Sequence, residues 1–101
     1  MSSTDLVAFL RARLYDDERR ARALVLDGKP VENPVPRHVL PRVLAEIDRK
    51  RDLVSRYEAM TADVLVVTGR EAIISEYRRV ILPDLALPYA DHPDYRNDWR
   101  P

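Results

Sequence analysis

The sequence predicts an all-α fold: an antiparallel helical hairpin, a third helix, and a C-terminal clasp that is broken by prolines and rich in aromatic rings. Three observations carry this expectation. Apolar residues recur at spacings of three and four over two long stretches, the signature of a helix face. Glycine is confined to Gly28 and Gly69, which leaves little material for tight β-hairpin turns. The segment 83–101, PDLALPYADHPDYRNDWRP, gathers four of the eight prolines together with Tyr89, Tyr95 and Trp99.

The first helix is expected over residues 4–26. Ser2, Ser3 or Thr4 can cap it, and Ser2 with Asp5 has the form of a capping box. Leu6, Leu10, Leu14, Ala21 and Leu24 share one face. Asp17 lies on that face too, about 20° from Leu10 at roughly 100° per residue, an unusual place for a carboxylate. Gly28 supplies a stop, and Gly28 to Pro36 reads as a loop because it holds Pro30, Pro34 and Pro36.

A second helix follows over about 41–67, with proline welcome in its first turn. Its stripe runs Leu40, Val43, Leu44, Ile47, Val54 and Tyr57, and Arg51 and Glu58 fall on the same face. The β-branched run Val64-Leu65-Val66-Val67 has strand character. A lone strand has nothing to pair with, so the helix is extended through it. Thr68 with Glu71 resembles another capping box, opening a third helix over about 69–82. That helix presents Ile73, Ile74, Tyr77, Val80 and Ile81, and Pro83 is expected to end or kink it. Asp91-His92-Pro93 has the form of a fresh start, giving a short helical turn over 93–99 on which Tyr95 and Trp99 share a face.

Two helices joined by a short loop pack antiparallel most simply. Setting Leu24 opposite Val43 makes facing residue numbers total 67 or 68. Asp17 then meets Arg51 as a structural ion pair, with Lys50 as second choice.

At 101 residues the chain has the size of one domain, 1–101, and 46% hydrophobic with 34% charged residues is a globular balance. Lys and Arg total 17 and so do Asp and Glu; all the basic residues except Lys29 and Lys50 are arginine. No net field draws the chain to a polyanion, and the signs interleave, so nucleic acid is not an expected partner. Cysteine is absent, which excludes disulfides and thiolate metal sites. With no leader pattern and no long apolar run, a cytoplasmic location and no membrane partner are expected.

Two groups of residues carry candidate chemistry. His38 and His92, with Asp91 and Asp94 and more distantly Asp17, Glu18 and Glu46, have the donor types of a divalent metal site or an acid–base centre. Asp91 and Asp94 are equally explained by capping and the helix dipole. Tyr89, Tyr95 and Trp99 with Arg96 and Arg100 have the composition of a binding hot spot. As a clasp they would instead close the open side of the hairpin, and each ring can bury ~150–250 Å². No phosphate-binding loop, dinucleotide fingerprint or zinc-finger spacing is present.

The run Leu85-Ala86-Leu87-Pro88-Tyr89-Ala90-Asp91-His92-Pro93-Asp94-Tyr95-Arg96, closing with Trp99-Arg100-Pro101, resembles the terminal signature of a family of short actinobacterial and actinophage proteins, a domain of unknown function. Asp17-Glu18 with Ala21, and His38 with Arg42 to Ile47 and Lys50-Arg51, extend the likeness. The chain departs where relatives read His-Asp-Pro, having His38-Val39-Leu40-Pro41, and it lacks their Gly-Pro-Trp segment between the helices. The resemblance implies relatives and no activity. The functional expectation is a small interaction or regulatory protein without catalysis and without a cofactor, its partner a protein, including a second copy as a homodimer. The alternative is a metal-binding protein or metal-dependent enzyme using the two histidines.

Overall fold

The computed structural model describes residues 3–26, 39–65 and 67–101. Helix α1 spans Ser3–Leu26 and α2 spans Leu40–Thr61. A third helical run follows, built of α3 (Arg70–Glu76), a π turn (Tyr77–Ile81) and α4 (Leu82–Ala86), then a 3-10 turn over Leu87–Tyr89. A last 3-10 turn covers Asn97–Trp99. No strand occurs among the described residues, so the all-α class holds. None of the described helices is long and apolar enough to cross a membrane. The Gly28–Pro36 loop, His38 and the Ser2 cap lie outside the described residues.

The α1–α2 hairpin is antiparallel: Arg11 bridges to Glu58 near one end, and Glu18 to Arg51 further along. Leu6, Val7, Phe9 and Leu10 of α1 meet Val54, Tyr57 and Met60 of α2 in the core, and Ile74, Tyr77, Leu82, Ala86 and Trp99 close it. The third run and the tail therefore cover the near half of the hairpin, from Leu6 to Leu10 and from Val54 to Met60.

Helix α2 stops at Thr61, short of the expected end near residue 67, and the backbone shows why. The Asp63 and Val64 N–H groups return to the Met60 and Ala59 carbonyls at 3.3 and 2.9 Å, a Schellman ending. That motif needs a left-handed residue, and Asp63 provides it at φ 60°. Gly usually fills this position, which is why the stop was hidden in the sequence; Asp is one of the few other residues that tolerate it. Asp63 also pairs with Arg70 at the start of α3. Asp63→Val is expected to destabilise the protein by about 1–2 kcal/mol, because a β-branched side chain is strained there. Asp63→Asn should stay within about 1 kcal/mol, losing only an exposed ion pair. Thermal melts of the two variants separate backbone conformation from charge.

The N-terminus of α3 differs in detail from the expected capping box. Its N-cap is Gly69, left-handed at φ 73°, with no side-chain cap hydrogen bond. Within the third run, Pro83 neither ends nor breaks the helix. The π turn precedes it, with the Leu82 N–H reaching back five residues to the Tyr77 carbonyl. A π turn holds one residue more than an α turn, so it shifts the phase of everything after it. Val80, expected on the buried face, is 41% exposed, whereas Leu82 and Ala86 are fully buried.

Candidate functional site

The tail beyond Tyr89 folds back onto α1 through a series of short turns. Backbone N–H groups of His92, Tyr95, Trp99 and Arg100 each reach the carbonyl three residues earlier, at 2.9–3.1 Å. The expected helical turn over 93–99 is thus only a 3-10 turn at its end, because Arg96 is extended at φ −104° and ψ 135°. Pro93 still serves a tight turn, with its φ preset.

Phe9, on α1, is the hub of an aromatic cluster. Its ring centroid lies 5.0 Å from Trp99, 5.7 Å from His92, 6.0 Å from Tyr95 and 6.2 Å from Tyr89. Tyr95 and Trp99 also meet edge to face at 5.7 Å. Such tilted and T-shaped pairs add about 0.5–1.5 kcal/mol each beyond area burial. Trp99 is 2% exposed. Arg96 stacks over Trp99 at 5.6 Å and bridges to Asp5 at 3.2 Å, and Arg100 stacks over Tyr95 at 5.9 Å.

The Asp17–Arg51 pair expected from the register is not formed. Arg51 donates to Glu18 at 2.5 Å and to Asp48 at 3.1 Å. Asp17 instead accepts the Tyr89 hydroxyl at 2.5 Å. The cause is a register one residue removed from the expected one: at both hairpin bridges the facing residue numbers total 69. The hydrogen bond from Arg51, then that from Arg22, holds the Glu18 carboxyl below the usual glutamate range. Arg51 is raised by the same contact.

Burial, then the Asp17 carboxylate accepting its proton, pushes the Tyr89 hydroxyl well above the usual tyrosine range. A group raised in the folded state stabilises it fully below its ordinary range near pH 10 and loses that contribution as pH rises further. Stability is therefore expected to fall above about pH 10, as the unfolded chain gives up this proton first. In Tyr89→Phe that alkaline fall should be smaller, at a cost near neutral pH of about 1–2 kcal/mol for the lost hydrogen bond. Melting curves from pH 8 to 11 on both proteins check the sign.

His92 is held against α1. Its ring lies edge-on to Phe9, Nδ1 accepts the Asp94 backbone N–H at 3.0 Å, and the Arg13 guanidinium meets the ring nitrogens. Both nitrogens therefore face donors rather than an open coordination position. Asp94 is mostly exposed and 4.0 Å from Arg13. Asp91 is also exposed. Among the described residues no group of three or more His, Cys, Asp or Glu side chains is placed to hold a metal.

Sequence reasoning missed Phe9 and Arg13, which anchor the clasp. Phe9 is the chain's only phenylalanine and sits three residues after Leu6; Arg13 follows four residues on, with its guanidinium 5.3 Å from the Phe9 centroid. That i, i+4 pairing was the available signal. Three buried donors in this region have no partner: Arg13 Nε, the Tyr95 hydroxyl and Trp99 Nε1. All three residues line a groove of about 570 Å³ between α1 and the tail.

A second groove, of about 280 Å³, lies on the distal half of the hairpin. Its apolar lining is Ala21, Val43 and Ile47, and its charged rim is Asp17, Arg20, Glu46 and Lys50. Asp17 stands at the junction, one side on the groove and the other on Tyr89.

A family model described as a family of unknown function (DUF6221) matches residues 3–101. No curated protein and no solved structure matches the chain.

Proposed function

The chain belongs to the family of unknown function DUF6221, and we propose on that premise that it is a protein-interaction module that pairs with a second copy through the distal half of its hairpin. The charged rim of the distal groove is the observation that carries this reading. Two carboxylates and two cations surround an apolar floor, so the patch is balanced in sign. Among the described residues, Arg20, Glu46 and Lys50 form no hydrogen bond or ion pair. An isologous dimer needs one patch complementary to itself, and a rim carrying both signs around apolar residues meets that need. The core cluster under the third helical run ends at Leu10 on α1 and begins at Leu53 on α2, so that run packs on the other half of the hairpin.

The test is the solution mass across a concentration series, by sedimentation equilibrium. A species of twice the 11.7 kDa chain is expected at high concentration. Lys50→Glu, which leaves three carboxylates facing one cation, should weaken association about tenfold or more, as like charges brought together cost at least ~1.4 kcal/mol. Adding Glu46→Lys to that variant restores the balance and should recover most of the affinity. A mass that stays monomeric at every concentration would remove the reading.

A further inference from the structure

The groove between α1 and the clasp has an unusual polar balance. Its three unmatched buried groups are the Arg13 Nε–H, the Tyr95 hydroxyl and the Trp99 indole N–H. Indole and guanidinium nitrogens can only donate, and a phenol does so readily. Buried polar groups are nearly always paired in folded proteins, so three unpaired donors along one groove call for a ligand that brings acceptors. Trp99 is 2% exposed and the Arg13 side chain 14%, so bulk water does not serve these groups.

The charge around the groove sorts the acceptors. Arg13 and Arg96 are matched by Asp5 and Asp94 on the same lining. Arg96 is already bridged to Asp5, and Arg13 to Asp16. A phosphate or carboxylate would therefore meet no uncommitted cation and two carboxylates. Neutral carbonyl oxygens fit the unmet donors without that repulsion. Between these charged pairs the lining holds three rings and a proline: Phe9, Tyr95, Trp99 and Pro93. Aromatic walls with indole and phenol donors suit the polyproline II conformation, whose backbone carbonyls are unpaired and whose preset shape loses little entropy on docking.

We propose that this groove binds an extended, proline-rich segment of a partner protein, held by its backbone carbonyls on Trp99, Tyr95 and Arg13. The three donor atoms are shielded from solvent in residues that line the groove, so carbonyls reach them only as the Tyr95–Trp99 segment shifts outward from Phe9. The Arg96–Asp5 bridge across this region is half exposed and adds little resistance. The cost of docking is therefore set by the Phe9–Tyr95 and Phe9–Trp99 ring contacts given up, which keeps the affinity weak. The proposal is separate from self-association, since the distal groove shares no residue with this one.

The probe is a polyproline peptide of about ten residues, long enough for roughly three turns of the helix. A glycine–serine peptide and an acidic peptide of equal length serve as controls. Trp99 is the only tryptophan, so its indole N–H gives one assignable NMR resonance. A saturable shift of that resonance is expected with polyproline, with a Kd below about 1 mM, and none with the glycine–serine peptide. Trp99→Phe and Tyr95→Phe keep a ring and remove one donor each. Each should bind polyproline about tenfold more weakly by calorimetry, the size of one lost hydrogen bond. Melting curves establish that both variants are folded. The proposal is overturned by an indole resonance that does not move, by equal affinity in both folded variants, or by binding of the acidic peptide instead.

Discussion

Replacing Trp99 with alanine is expected to destabilise the protein by about 3–5 kcal/mol, the range for deleting a buried aromatic side chain. For a domain of this size that lowers the melting temperature by more than about 10 °C, at ~4–8 °C per kcal/mol. Trp99 is 2% exposed and rests on Phe9 and Tyr95, so the variant leaves a cavity lined by two rings that cannot follow it. Arg100→Ala is the control: it removes an exposed stacking contact on Tyr95 and should cost less than about 1 kcal/mol. Circular dichroism melts measure both, since fluorescence loses its reporter in the first variant. A Trp99→Ala protein melting with its parent would mean that the tail adds nothing to the core. The smaller cost expected of Trp99→Phe keeps that variant usable as a binding probe, because a phenyl ring still packs on Phe9 and Tyr95 while the indole N–H and part of the ring system are lost.

Leu82→Ala should cost about 2–5 kcal/mol, whereas Val80→Ala should stay within about 0.5 kcal/mol. The contrast follows from the π turn. In an uninterrupted α-helix the apolar phase set by Ile73, Ile74 and Tyr77 continues through Val80 and Ile81. The extra residue in the turn moves the buried face on by one, to Leu82, and Ala86 follows four residues later. Leu82 is 0% exposed against 41% for Val80. Comparable losses for the two variants, or a larger one for Val80→Ala, would show that no π turn forms in solution.

The proline beyond the turn suggests why the sequence carries this irregularity. Inside an α-helix Pro83 lacks the N–H for the carbonyl four residues back, and its ring crowds that carbonyl. A π turn immediately upstream spreads those carbonyls and lets the helix run on to Ala86. The continuation positions Tyr89 to reach Asp17, and from there the tail turns back along α1.

Much of the architecture was legible in the sequence because it depends on local terms. The 3.6-residue periodicity marked α1, most of α2 and the start of the third run, and proline placed the start of α2 at about residue 41, one residue from its observed start at Leu40. Interleaved charges and the lack of cysteine constrained the chemistry without reference to any fold. The aromatic tail announced itself by composition alone. Other features were decided only by tertiary contact. The register that gives Arg51 to Glu18 rather than Asp17 differs by one residue from the sequence estimate, a margin finer than stripe matching can resolve. Phe9 is an ordinary flanking apolar residue until the tail wraps over it, when it becomes the ring that four others touch. Local periodicity records which face of a helix is apolar. The partner that covers that face, and the donors left unmet beside it, are set by contacts between residues far apart in the chain.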